Sequence, residues 1–413
     1  TARNYGLGWS SVQHDNEGGY RSVNIKRIRT VGLVAVVAIA LAACGNLKNS
    51  SFGSNSTSTT TTGSKETTTT GTTDTEFYQG VIKNGSYTTS KSRGVNVAQN
   101  DNVMNLKSFE TGLLDVSKKQ FSTSKYVYQE GQYLNTATVQ KWLGRKSSSN
   151  PNGLNPVNNG KKDANTRNPI YLQQLEEQDY MVQSGSKITL GGVTVGLGMN
   201  SVDYYTKVQY GATYQTNISD TVLTEQGKKM ANTVLQRLRQ QSALKNVPIV
   251  LALYKQSSND SLVGGNMIAY AVSKNGSTSI SNWKALNWQN YVFPATTESK
   301  NSGANSNDEA DFSSFKSHVQ NFFPNLSGVT ANAHYKDKSL SKLSVNITTK
   351  FYSETEIISF TQYLATAAKR YLPAGVPVEI TVKSANGTVQ SFLARTAKGS
   401  SYYTHVFSDQ GDN

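Results

Sequence analysis

One short stretch near the beginning decides how much of this chain is available to fold. Residues 24–29 read NIKRIR, three cations in six positions, and Val31 to Ala43 follow as thirteen residues without a charge. A helix of that length, at about 1.5 Å per residue, falls short of a hydrocarbon core of roughly 30 Å, so the run reads as an export signal and not as a permanent span. It ends in Leu41-Ala42-Ala43-Cys44-Gly45, which resembles a bacterial lipobox: Leu three positions before the cysteine, small residues beside it, Gly after it. A lipid-transferring enzyme needs the thiol on an extended segment at the membrane surface, and the peptidase that follows accepts only small side chains. Cleavage is therefore expected between Ala43 and Cys44. Cys44 then carries a diacylglycerol that holds the mature chain on the outer face of the cell membrane.

Residues 1–22 lack a Met and any sustained amphipathic period, and they read as an extension upstream of a true start near Val23, which leaves 23–43 as the signal peptide. Positions 1–43 hold five of the 41 Lys/Arg and two of the 27 Asp/Glu, so the remainder keeps 36 against 25, a net +11. On an exported protein such a charge favours anionic lipid headgroups or anionic wall polymers, and nucleic acid is set aside. The plainer alternative is a solubilising surface. With one cysteine in the sequence, no intramolecular disulfide and no multi-cysteine zinc site can form.

After the anchor, residues 44–75 are rich in Ser, Thr and Gly and bury too little apolar surface to offset the entropy of ordering, so a disordered tether is expected. Structured sequence then divides into an N-terminal α+β unit at 76–297, a polar joint at 298–311 (NSGANSNDEAD from Asn301) and a C-terminal α+β unit at 312–400. Helices are expected at 106–121, 136–143, 219–241 and 354–371, the last opening with Ser353 and Glu356 in capping-box spacing. Strands are expected at 126–128, 188–200, 246–254, 267–272, 329–335, 343–351, 375–382 and 391–394, with a loop at 147–167. The recurrent order of strand, strand, helix, strand, strand, with a Val-Pro opening at Val247-Pro248 and again at Val376-Pro377, suggests two related units of antiparallel sheet with packed helices. Two unrelated units sharing a generic order would give the same pattern.

The blocks QEGQYLNTATVQKWLGR (129–145), NPIYLQQLEEQDYM (168–181), GGVTVGLGMNSVDYY (191–205), YGATYQTNIS (210–219) and NVPIVLALYKQ (246–256) resemble the CamS family of sex pheromone lipoproteins of low-GC Gram-positive bacteria. The resemblance runs from about Phe77 to Arg395. It implies that the cleaved signal peptide is trimmed to a short apolar peptide, here Val37, Ala38, Ile39, Ala40, Leu41, Ala42 and Ala43, able to act as a mating pheromone. Its expected partners are the membrane, the lipoprotein-processing enzymes and anionic wall polymer.

Catalytic patterns are absent from the sequence. Gly191-Gly192 with Gly196 and Gly198 lacks the Gly-Lys-Ser/Thr of a phosphate loop and fits a strand with packing glycines. His318, His334 and His405 are widely spaced, with no metalloprotease motif, and no Gly-x-Ser-x-Gly occurs. The acidic cluster Glu176, Glu177 and Asp179 is expected at a helix end, and Asp308, Glu309 and Asp311 in the solvated joint. Tyr204-Tyr205 and Tyr402-Tyr403 read either as half-buried strand positions or as the lining of a sugar or peptide groove. No cofactor and no metal are expected. A non-enzymatic surface lipoprotein is favoured, and a wall-active hydrolase is the alternative.

Overall fold

The computed structural model describes residues 67–72, 75–95, 102–295, 304–322, 328–350 and 353–408. The expected extension, signal peptide, cleavage site and Cys44 lie outside the described residues, as does the tether up to residue 66. Where the tether segment is described, it departs from expectation. Strand β1 (Thr67–Thr69) pairs antiparallel with β2 (Val81–Lys83), which pairs in turn with β3 (Ser86–Tyr87). Threonine is β-branched, and a short run of it suits an edge strand despite its polar composition.

The first unit contains helix α1 (Val103–Ser117), β4 (Val127–Glu130), α2 (Thr136–Leu143), the long hairpin β5 (Leu172–Ser184) and β6 (Lys187–Met199), a small hairpin β7 (Val202–Thr206) and β8 (Thr213–Asn217), α3 (Asp220–Arg239), β9 (Ile249–Lys255), β10 (Asn266–Ser273) and β11 (Lys284–Ala285). Asn102, Asn135 and Ser219 cap the three helices by accepting backbone N–H bonds. Six strands form one sheet in the order β11-β10-β9-β6-β5-β4, antiparallel except that β6 and β9 run parallel with α3 as the crossover. Phe109, Leu113 and Val116 of α1 pack on one face with Tyr180, Val250, Ala252 and Tyr254. On the other face lie α2 and α3, whose Val139, Trp142, Leu223, Val234, Leu235 and Leu238 meet Val193, Val195, Leu197 and Leu251. Because both faces are covered, β9 is buried at six consecutive positions and shows no alternation.

The second unit begins earlier than expected. Strand β12 (Trp288–Phe293), assigned from sequence to the first unit, is the edge of the second sheet, and the expected joint gives way at Ser306 to helix α4 (Ser306–Phe322). Then come β13 (Gly328–Lys336), β14 (Ser339–Thr349), α5 (Glu354–Tyr371), β15 (Val378–Ser384), β16 (Val389–Arg395) and β17 (Tyr403–Val406). The strands line up in chain order from β12 to β17, with β14 and β15 parallel across α5 and every other pair antiparallel. The expected capping box is present at Ser353 and Glu356. In the core of this unit the helices contribute Phe312, Phe315, Val319, Phe360 and Leu364, and the strands Val329, Val345, Ile347, Ile380 and Val382.

The two units match in order and sense: β5-β6-α3-β9-β10 corresponds to β13-β14-α5-β15-β16. The Val-Pro segments occupy equivalent places. Pro248 accepts the Val193 amide at 3.0 Å just ahead of the parallel β6–β9 ladder, and Pro377 accepts the Leu343 amide at 3.0 Å ahead of β14–β15. The preceding valine carbonyls also each take a buried arginine: Arg239 of α3 donates to Val247 O at 2.7 Å, and Arg395 of β16 donates to Val376 O at 3.2 Å.

Candidate functional site

Residues 144–171 leave α2 and return to β5 over the end of the first sheet where β6 finishes. Asn155 pins this loop. Fully buried, it donates to Leu143 O and Leu172 O at 2.7 and 2.9 Å and accepts the Tyr171 and Leu172 amides. Arg145 reaches across the loop to Pro156 O and Asn168 O at 3.0 and 2.8 Å. Arg167 fastens it to the β7–β8 hairpin through Asp203 at 2.6 Å and Thr216 at 3.0 Å, while Asp203 also accepts the Ile170 amide. Tyr205 donates to Lys162 O at 3.0 Å.

The loop and hairpin enclose a cleft of about 190 Å³ lined by Arg145, Lys161, Lys162 and Arg167 together with Asn158, Gly160, Asn168, Tyr205 and Thr206. No carboxylate is among the lining residues, and the loop's own Asp163 is turned onto the Asn165 amide. Burial holds the Arg145 guanidinium below its ordinary value; Asp203 opposes that shift, and the charge of Arg167 reinforces it. Asp203 thus outweighs the repulsion between the two arginines, and the cations of the cleft left without a carboxylate among the described residues are Lys161 and Lys162. Outward from the cleft, two neighbouring rings stand between two cations along the hairpin. Arg167 lies 3.8 Å from the Tyr205 ring centre, Tyr205 lies 5.8 Å from Tyr214, and Lys207 sits 4.2 Å over Tyr214. Tyr204 and Tyr205 are thus half-buried strand residues, and Tyr205 also lines a groove. In the second unit Tyr402 is half-buried and Tyr403 is 65 % exposed.

The acidic cluster expected at a helix end lies in the middle of β5. Its Leu, Gln and Glu residues favour helix intrinsically, but a two-sided sheet position overrides that preference. Glu177 accepts the Tyr133 and Leu134 amides, at 3.0 and 2.6 Å, and Asp179 accepts the Gln132 amide at 3.0 Å, so three successive amides ahead of α2 form a nest around two buried carboxylates. Burial pushes both acids above the ordinary carboxylate range. The carboxyl groups of a glycosidase stand roughly 5 Å or more apart across a cleft. These two are buried and accept the amides ahead of α2, which leaves them a structural part. In the second cluster Asp308 and Glu309 sit in the first turn of α4, where they complement the helix dipole, and Asp308 accepts the Tyr335 hydroxyl at 2.7 Å. No group of His, Cys, Asp and Glu among the described residues is arranged to hold a metal.

Glu176 faces α1 from the other side of β5. Desolvation, with Glu110 and Glu130 nearby, raises its pKa to about 8, against the opposing 3.0 Å bond from Gln178. The folded state therefore keeps a proton that the unfolded state loses above about pH 4.5, and stability falls as pH rises from there to about 8. His334 acts in the opposite sense. Burial lowers its pKa to about 4, so its contribution is complete above about pH 6.5 and is lost as pH falls toward 4. Urea midpoints should thus fall between pH 6.5 and pH 8.5. Glu176→Gln should flatten that fall, adding on the order of 2 kcal/mol at pH 8.5 and little at pH 5. An unchanged slope in the variant would show that Glu176 is not its source.

Comparison with known proteins places this architecture. Residues 87–401 match the family described as CamS sex pheromone cAM373 precursor. A solved sex pheromone precursor from Lactobacillus salivarius subsp. salivarius is 56% identical with a TM-score of 0.79, the match covering 83% of this chain and 99% of that one. The C-terminal domain of the sex pheromone staph-cAM373 precursor from Staphylococcus aureus is 30% identical with a TM-score of 0.65, covering 75% of this chain and 99% of that one. No curated protein sequence matches the chain.

Proposed function

The chain belongs to the CamS sex pheromone cAM373 precursor family, and from that premise we propose that it is a lipid-anchored surface protein whose signal peptide is released as a short apolar peptide. The observation that carries this reading is the sequence Leu41-Ala42-Ala43-Cys44-Gly45 at the end of an apolar run behind NIKRIR. Lipoprotein-processing enzymes attach a diacylglycerol to Cys44 and cut before it, and trimming of the freed signal peptide leaves Val37 to Ala43. The mature domain is held at the outer face of the cell membrane and binds anionic envelope polymer through the cleft of Arg145, Lys161, Lys162 and Arg167. The net charge of +11 beyond position 43 supports the choice of an anion.

Mass spectrometry of detergent-extracted protein tests the anchor. The mature chain should begin at Cys44 with a thioether-linked diacylglycerol, and the medium should contain VAIALAA. An unmodified Cys44 would overturn the anchor and the route to the peptide together.

A further inference from the structure

We infer that the cleft takes the phosphodiester backbone of a wall polymer, a chain of polyol phosphates, and not the phosphate of a lipid headgroup. This rests on the anion-binding reading above and adds the ligand's chemistry and its source. Three observations carry it.

The first is position. The chain enters the described domain through β1, which lies against β6, and the next segment is held by Thr123 on Thr75 O and by Tyr78 on Phe121 O. A Cβ on Gly192 would stand 2.3 Å from the Phe121 ring, which puts this entry toward the first half of β6. The cleft hangs on the opposite end. There Asn200 donates to Tyr171 O at 2.8 Å and Asp203 grips Arg167. The eight residue steps from Gly192 to Asn200 separate the two by about 26 Å, at about 3.3 Å per residue. The cleft and the point where the chain enters the domain therefore stand toward opposite ends of β6.

The second is the set of donors that remain open. Arg145 and Arg167 already spend their planar hydrogen bonds on carbonyls, Asp203 and Thr216. Lys161 and Lys162 are exposed and form no ion pair among the described residues. An ammonium group is a point charge with rotating donors, suited to a tetrahedral phosphate in many orientations, whereas planar carboxylates are best matched by a free guanidinium fork. The third is extent. Arg167, Tyr205, Tyr214 and Lys207, two neighbouring rings between two cations, continue the cleft along the hairpin, a track on which charged groups of a repeating chain can be spaced by uncharged ones.

The test uses the mature chain from Cys44 onward, prepared without lipid, against poly(glycerol phosphate), a polyuronate of matched charge density and phosphatidylglycerol vesicles at about 0.1 M salt, where the Debye length is about 10 Å. Lys161→Glu/Lys162→Glu should weaken poly(glycerol phosphate) binding at least tenfold and reduce its salt dependence. Lys338→Glu/Lys383→Glu, the same charge change on exposed lysines of the second unit, should leave it within twofold. Vesicle binding that matches polymer binding and falls with the cleft variant would overturn the source. Equal binding of the polyuronate would overturn the phosphate chemistry while anion binding stands. Equal losses in both double variants would remove the cleft from the site, and failure to bind any of the polymers would sink the anion-binding reading itself.

Discussion

The Cys44→Ser chain should remain at precursor length, without diacylglycerol, and should release no Val37–Ala43 peptide. Lipid transfer needs a sulfur nucleophile, and a thiol of pKa about 8.5 supplies thiolate at the membrane surface where a serine hydroxyl supplies almost no alkoxide. On the proposed route the peptidase acts only after lipid transfer to Cys44, so one substitution should stop anchoring and peptide release together. Anchoring should be lost outright, because each buried acyl methylene contributes about 0.8 kcal/mol and the proposed lipid carries two chains. Intact-mass analysis of cell extract, with a search of the medium for VAIALAA, reads both outcomes. Peptide at the wild-type level from the Ser variant would overturn the coupling of lipidation to release. The urea midpoint of the folded domain should not change.

Replacing Gly196 by valine should have the largest effect on folding. A Cβ there would stand 2.7 Å from two atoms of the Phe109 ring and 3.0 Å from Leu113, both fully buried. Phe109 cannot swing aside, because it also packs on Tyr254 with ring centres 4.8 Å apart. The strain must then lift α1 from the sheet, and overpacking that moves a helix costs about 3 kcal/mol or more, well beyond any gain in strand propensity. Valine at this position should leave mostly insoluble protein. Gly196→Ala should fold with its urea midpoint lowered by the equivalent of about 2 kcal/mol, and adding Phe109→Leu to it should recover part of the loss. If that second change deepens the loss instead, the close approach of β6 and α1 is not what selects glycine.

Much of the fold could be read from residues with strong local signals. The stripe of Ile357, Phe360 and Leu364 behind a capping box gives α5, and the apolar run from Ile249 gives β9. Helix α4 was hidden because only Phe312, Phe315 and Val319 of its residues are buried, and its Asn, Ser and Asp content reads as linker. Strand β5 was hidden for the opposite reason: LQQLEEQDYM has helix-forming composition, and its burial on two faces is visible only once α1 and α2 are in place. The glycines of β6 were legible as packing residues, but the rings that Gly192 and Gly196 face come from α1 and its following turn. The cleft was not legible, because Arg145, Lys162 and Tyr205 meet only when a long loop folds over a hairpin. The Lys-rich loop itself was visible, while the surface it would face was not.

The shared treatment of the two Val-Pro segments limits how far the halves are interchangeable. Proline contributes no N–H, and the valine carbonyl before it needs a donor from elsewhere. In the first half that donor is Arg239 at the end of the crossover helix, which also serves Leu244 O and Ser273 O; in the second it is Arg395 at the end of β16, which also serves Pro373 O. The requirement recurs with the topology, but its solution does not recur with the sequence. A segment transplanted between the halves would carry the carbonyl without its arginine and would leave behind an arginine short of an acceptor. The pair therefore shares the outline of a repeat yet behaves as two individually fitted parts, and the unit of exchange would have to be the whole crossover together with the strand that closes it.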